Sequence, residues 1–204
     1  MKIGILISGR GSNMVAITRA VQDGTIPNSK VAVVISDKSK APGLGKARDL
    51  GVKTVVVTRR GRPREEHDAE IVSELKKHDV DLVCLAGYMR LLSSSFVREF
   101  TNRIVNIHPS LLPSFKGLDA QRQAVEYGVK VSGCTVHFVD EELDHGAIIL
   151  QRPVEVLDSD DADTLSERIL RIEHETYVEA VRLISGGDFR ISGRRVLFGS
   201  AVGG

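Results

Sequence analysis

Two residues near the middle of the chain, Asn106 and His108, carry side chains able to do chemistry at a spacing that suits it. They stand in Asn106-Ile107-His108-Pro109-Ser110-Leu111-Leu112-Pro113, directly after the apolar pair Ile104-Val105. On an extended strand, residues two apart point to the same face, which sets the amide and the imidazole side by side. A carbonyl oxygen gaining negative charge there would meet two hydrogen-bond donors. The plainer reading is that both residues cap a strand before a proline-rich turn. Which of the two holds depends on what the other elements bring to the same place.

Those elements begin with an apolar, β-branched run over residues 2–7, the pattern of a parallel strand covered on both faces. It breaks at Ser8-Gly9-Arg10-Gly11-Ser12-Asn13, after which Met14, Ile17, Ala20 and Val21 recur at helical spacing. A glycine loop between a strand and a helix N-terminus suits a phosphate. Met14 stands where a dinucleotide fingerprint has its third glycine, and the Lys-Ser/Thr of a Walker loop is missing, so a mononucleotide-type phosphate fits better than NAD or ATP. The alternative is that Ser12 or Asn13 simply caps the helix.

Strands are expected over 31–35, 54–58 and 80–86, with helices over 42–50 and around Ile71, Val72 and Leu75 between them. The basic stretch Arg59-Arg60-Gly61-Arg62-Pro63-Arg64 reads as a solvated turn from which one cation could approach an anionic ligand. The loop Gly87-Tyr88-Met89-Arg90-Leu91-Leu92 combines apolar bulk with one cation, as a pocket for a flat heterocycle would. Strand and helix alternate through the first half, which implies a parallel sheet with right-handed crossovers and ligands at the carboxyl ends of its strands. The glycine loop, the 87–92 loop and the 106–113 stretch all follow strands, so they should share one rim.

Downstream, a short helix is expected over 120–127, and the run 131–139 alternates: Cys134, Val136 and Phe138 on one face, Thr135 and His137 on the other. Its partner strand, 147–156, follows the acidic loop Asp140-Glu141-Glu142-Leu143-Asp144-His145-Gly146, so the pair should extend the sheet in antiparallel sense. A long amphipathic helix follows the acidic start Asp158-Ser159-Asp160-Asp161 and runs to Ile184. Glu173-His174-Glu175 within it lacks the second histidine of a zinc helix, since Val178 holds that place. The tail to Gly204 has room for a hairpin around Ser192-Gly193.

The chain has 204 residues and 28 basic against 27 acidic side chains, a formal charge of +1. That length suits one domain, and the charge lacks the basic footprint of a nucleic-acid binder. Cys84 and Cys134 both fall in apolar strand-like runs, which points to buried thiols in the cytoplasm. No apolar run is long enough to span a bilayer, and the first one is too short for a secretory signal.

Taken together, the motifs resemble those of the folate-dependent phosphoribosylglycinamide formyltransferases. They are Ile-Ser-Gly-x-Gly-Ser-Asn at 7–13, Leu-Ala-Gly-Tyr-Met-Arg at 85–90, Asn-Ile-His-Pro-Ser-Leu-Leu-Pro at 106–113, Gly-Cys-Thr-Val-His-Phe-Val at 133–139 and Glu-Leu-Asp-x-Gly at 142–146. The third motif alone marks the wider group of 10-formyltetrahydrofolate-using enzymes, and the combination is more specific. The resemblance implies a single three-layer α/β/α domain over 1–204, with a mostly parallel Rossmann-like sheet and an antiparallel extension. Residues 1–100 would form its phosphate-binding half and 101–204 its catalytic and folate-binding half.

It further implies that 10-formyltetrahydrofolate donates a formyl group to the amine of glycinamide ribonucleotide, with no metal, in a monomer or homodimer. Catalytic roles fall to Asn106, His108 and Asp144, with His137 in support. The ribonucleotide would be held by Gly11, Ser12, Asn13 and Glu173. Folate would lie against Arg64, Met89, Arg90, Leu91, Leu92, Asn106, Asp140, Glu141, Glu142, Leu143 and Asp144. Asn106 and protonated His108 would stabilise the oxyanion, and Asp144 would favour the charged imidazole and relay protons. His145 stands where this family usually has a small residue, so the acidic loop should be shaped differently. A hydrolase acting on the same formyl donor, another folate-dependent formyltransferase, a nicotinamide oxidoreductase and a non-catalytic nucleotide binder are the competing readings.

Overall fold

A computed structural model describes residues 1–199 of the chain. In order they form β1 (Lys2–Ile7), α1 (Ser12–Gln22), β2 (Lys30–Ser36), α2 (Pro42–Asp49), β3 (Thr54–Val56), α3 (Arg64–Lys77), β4 (Leu82–Leu85) and α4 (Ser94–Glu99). These are followed by β5 (Ile104–His108), α5 (Ala120–Tyr127), β6 (Val131–Phe138), β7 (Ile148–Glu155), α6 (Ala162–Ser185), β8 (Phe189–Ser192) and β9 (Arg195–Phe198). The strands make one sheet in the order β3-β2-β1-β4-β5-β6-β7-β9-β8. The first five are parallel, whereas β6 is antiparallel to β5 and to β7. This is the mostly parallel sheet with an antiparallel extension that the strand pattern implies.

Both faces of the parallel strands are covered, which is why their sequences read as continuous apolar runs. Ile3, Ile5 and Ile7 of β1 pack with Met14 and Ile17 of α1, Leu44 of α2 and Leu165 and Ile169 of α6. Leu6, on the other face, joins Ile71 and Leu75 of α3 and Phe96 and Val97 of α4. Tyr177 of α6 reaches beneath the sheet, where its hydroxyl lies 3.1 Å from the Leu85 carbonyl and 3.0 Å from that of Val105. It thereby sits under the β4–β5 seam, one residue before Asn106.

Several boundaries differ from the sequence expectation. β3 and β4 are shorter than 54–58 and 80–86, and the helix α4 was not expected. Ser93 acts as its N-cap, accepting the Phe96 N–H at 3.4 Å, and burial of Phe96 and Val97 holds the turn down. The acidic start of α6 proves to be a cap. Asp161 Oδ1 accepts the N–H groups of Asp163 and Thr164 at 3.0 and 2.8 Å, while Asp160 takes both arms of Arg168 at 2.6 and 2.9 Å. The hairpin expected around Ser192-Gly193 is formed by β8 and β9, and tail residues 200–204 lie outside the described residues.

Candidate active site

β1 and β5 are parallel and two strand spacings apart, roughly 10 Å, so their carboxyl ends open on one rim. At the β5 end, Val105 and Ile107 point into the larger apolar cluster, which turns Asn106 and His108 together to the opposite face. Antiparallel β6 places His137 opposite Asn106 and Thr135 opposite His108. The polar face of β6 therefore meets the polar face of β5.

The acidic loop after β6 closes the cluster. Asp144 Oδ2 lies 3.4 Å from His108 Nδ1, and Asp144 Oδ1 lies 3.8 Å from His137 Nε2. The same Oδ2 accepts the Gly117 N–H at 2.9 Å, which fixes the carboxylate to the loop that follows the His-Pro motif. On its other side His108 donates from Nε2 to the Phe115 carbonyl at 2.8 Å. Both ring nitrogens of His108 thus face oxygen atoms, the Asp144 carboxylate on one side and the Phe115 carbonyl on the other.

His137 is of the opposite kind. Burial pushes its pKa below the usual histidine value, outweighing the Phe138 carbonyl and the nearby Asp144. Its Nδ1–H donates to the Phe138 carbonyl at 2.7 Å, leaving the Nε2 lone pair for the Asn106 Nδ2–H at 3.4 Å. That contact orients the Asn106 amide and leaves its second N–H free. An oxygen acquiring charge beside β5 would find a preset amide donor, an imidazole and a carboxylate, which are the groups an acyl-type transfer to an amine requires.

At the β1 end, Gly11 is the N-cap of α1 with φ of 66°, and no side chain caps the first turn. The alternative that Ser12 or Asn13 simply caps this helix fails for that reason. The left-handed backbone calls for glycine, and the loop is tight: a Cβ on Gly11 would stand 3.0 Å from the Gly43 Cα. The uncapped first turn leaves backbone N–H groups for an anion. Asn13 differs from expectation, since its side chain is buried and donates to Glu173 Oε2 at 2.9 Å instead of facing the loop mouth. Burial pushes the Glu173 carboxyl above its usual range, and the Asn13 hydrogen bond partly offsets this.

The segments assigned to folate are placed less uniformly. Met89 and Leu91 are 63% and 56% exposed, while Leu92 packs with Val139 against the apolar cluster on the face of Asn106. The Arg90 guanidinium is drawn back to buried Asp37, with Nε 2.6 Å from its Oδ2. Ser8 joins this loop to the glycine loop, donating its N–H to the Gly87 carbonyl at 3.0 Å and accepting the Met89 N–H at 2.9 Å. In the acidic loop, Glu141 contacts Arg98 at 3.2 Å, Asp140 contacts His145 at 2.8 Å, and Leu143 is exposed. Arg64 is the first residue of α3 and is exposed, and among the described residues no hydrogen bond or ion pair ties it to the others.

Four residues to which the sequence assigned no role at the site also shape it. Thr135 Oγ1 donates to the Ser110 carbonyl at 2.7 Å and accepts the Leu112 N–H at 3.0 Å, and Gln151 reaches the Leu112 carbonyl at 2.9 Å. Together they pin the 110–113 loop to β6 and β7. Gly43 N–H donates to the Gly9 carbonyl at 3.0 Å and Lys46 Nζ to the Arg10 carbonyl at 3.1 Å, so α2 braces the glycine loop. The polar face of 131–139 signals Thr135, but no local pattern marks the other three.

A sequence profile described as Formyl transferase matches residues 1–181. The chain belongs to the formyl transferase family. The phosphoribosylglycinamide formyltransferase of Escherichia coli K12 is 40% identical over 192 residues, covering 94% of this chain and 90% of the relative. The solved structure of glycinamide ribonucleotide transformylase 1 from Symbiobacterium toebii superposes with a TM-score of 0.95 at 51% identity, covering 97% and 93% of the two chains. The trifunctional purine biosynthetic protein adenosine-3 of Drosophila melanogaster is 47% identical over 193 residues, 94% of this chain, and the chain spans 14% of that much longer protein. Among the described residues no helix is long and apolar enough to cross a membrane.

Proposed function

We infer that this chain transfers the formyl group of 10-formyltetrahydrofolate to the amine of glycinamide ribonucleotide, a step of purine synthesis. The observation that carries the reading is the 3.4 Å approach of Asp144 Oδ2 to His108 Nδ1, beside Asn106 on the rim that also bears the Gly11 loop. The ribonucleotide phosphate binds the backbone N–H groups at Gly11, Ser12 and Asn13, and Glu173 with Asn13 holds the glycinamide end. Folate occupies the side lined by Met89 to Leu92 and by the loop from Asp140 to Asp144, with Arg64 at its margin. The halves 1–100 and 101–204 then act as one domain, and the reduced, buried Cys84 and Cys134 suit the cytoplasm.

In the reaction, the amine nitrogen attacks the formyl carbon, the new C–N bond forms and the carbonyl oxygen takes up negative charge. The free Asn106 N–H donates to that oxygen, and His108 donates from Nε2 once the Phe115 carbonyl gives way to substrate. The bond from carbon to the folate nitrogen then breaks as the oxyanion collapses. Asp144 accepts the proton lost by the amine, and the folate nitrogen regains one, directly or through a water. No metal takes part in these steps.

The test is incubation with 10-formyltetrahydrofolate with and without glycinamide ribonucleotide, following tetrahydrofolate. Tetrahydrofolate should form only with the ribonucleotide, in step with formylated product. Equal formation with formate release in its absence would instead establish a hydrolase.

A further inference from the structure

Asp144 adopts φ of 45°, a left-handed backbone that a non-glycine residue holds only when its surroundings impose it. Two constraints flank it. Asp140 accepts the Glu142 N–H through Oδ1 at 3.0 Å and the His145 Nδ1–H through Oδ2 at 2.8 Å, which ties residues 140 and 145 across the loop with Asp144 inside the tie. Beyond it, Gly146 is pressed so close to β6 that a Cβ there would stand 2.0 Å from the Phe138 carbonyl oxygen, so the chain has no slack on that side. The other acids of the loop do not compete for this contact. Glu142 Oε2 lies 3.9 Å from His145 Nε2, and Glu141 is turned outward to Arg98.

We propose that His145 is a positioning residue for the Asp144 carboxylate: its hydrogen bond to Asp140 closes the loop and holds Asp144 Oδ2 against Gly117 N–H and His108 Nδ1. The proposal rests on the reading that Asp144 takes part in formyl transfer. The side chains of His145 and Asp140 are 29% and 42% exposed, so their bond adds little to global stability. Its effect is on geometry, where a misplacement of about 1 Å can lower a rate by on the order of 100-fold. Stability and rate therefore separate.

The experiment compares His145→Ala, His145→Asn, Asp140→Ala and the double variant His145→Ala with Asp140→Ala. In His145→Ala, kcat for formyl transfer should fall about 10-fold or more, with the Kd for glycinamide ribonucleotide unchanged and Tm within about 2 °C of the parent. His145→Asn, whose amide nitrogen can take the place of Nδ1, should recover most of the rate. The double variant should be no slower than the slower single one, because both remove the same bond. An unchanged kcat in His145→Ala, no recovery in His145→Asn, or losses that multiply in the double variant would overturn the proposal. Asp144→Asn in the same series separates the two levels: full turnover there removes the reading of Asp144 itself, whereas its loss beside a normal His145→Ala removes only the positioning role.

Discussion

Asp144 Oδ2 stands 3.4 Å from His108 Nδ1 while accepting the Gly117 N–H at 2.9 Å, so one carboxylate oxygen joins a β-strand end to two loops. The other face of the His108 ring is held by the Phe115 carbonyl, and Asn106 is held by His137. Each polar group expected to act in formyl transfer is thus oriented by a partner that does not react.

Asn106 is the donor with an N–H already free, so it should contribute mainly to the rate. Asn106→Ala is expected to lower kcat by about 100-fold to 1,000-fold with a much smaller change in either KM, measured by steady-state formyl transfer. His137 supports it only as the neutral ring. Its pKa is depressed by burial, so its contribution to stability is present above the usual histidine value of about 6.5 and is lost as pH falls through the lower folded value. Acidification should therefore destabilise the parent protein more than a His137→Gln variant, whose amide carbonyl accepts from Asn106 without titrating, and equal acid sensitivity of the two would contradict this.

Glu173 gives the opposite pH signature. Burial raises its pKa, so its contribution to stability is complete below the usual value of about 4.5 and is lost as pH rises through the folded value. Glu173→Gln removes that ionisation while keeping an acceptor for Asn13, so its Tm should exceed that of the parent at about pH 8 and converge with it at about pH 4. The same variant should raise the KM for ribonucleotide about 10-fold and leave that for folate near its original value. Thermal melts across pH and paired KM measurements check both parts.

Tyr177 is a stability element under the site. Its fully buried hydroxyl serves the carbonyls of Leu85 and Val105, and Tyr177→Phe leaves both without that donor. The expected loss is about 1–3 kcal/mol in urea unfolding. A loss near zero would mean that these carbonyls find other partners.

Most of what positions this site could be read from period and punctuation. The apolar runs of β1, β2 and β4 and the glycine break after β1 place the glycine loop at a helix start, and the alternation of Cys134, Val136 and Phe138 against Thr135 and His137 assigns the faces of β6 correctly. Asp144 is different. Nothing local separates it from its acidic neighbours Asp140, Glu141 and Glu142, and it is singled out only by the wider motif set. The pairings of Asn13 with Glu173, Arg90 with Asp37 and Gln151 with the Leu112 carbonyl join residues 160, 53 and 39 apart, and no sequence period reports such contacts. The helix α4 has six residues, too few to show a helical period, and burial of Phe96 and Val97 holds it in place.

The most direct test of the proposed mechanism is Asp144→Asn, which keeps the size of the side chain and the acceptor for Gly117 N–H but removes the proton acceptor beside His108. Single-turnover formyl transfer is measured with glycinamide ribonucleotide binding followed in parallel. Turnover should drop by at least about 100-fold while ribonucleotide affinity stays within about twofold. Transfer at the parent rate, or loss of ribonucleotide binding in step with turnover, would contradict the role assigned to Asp144.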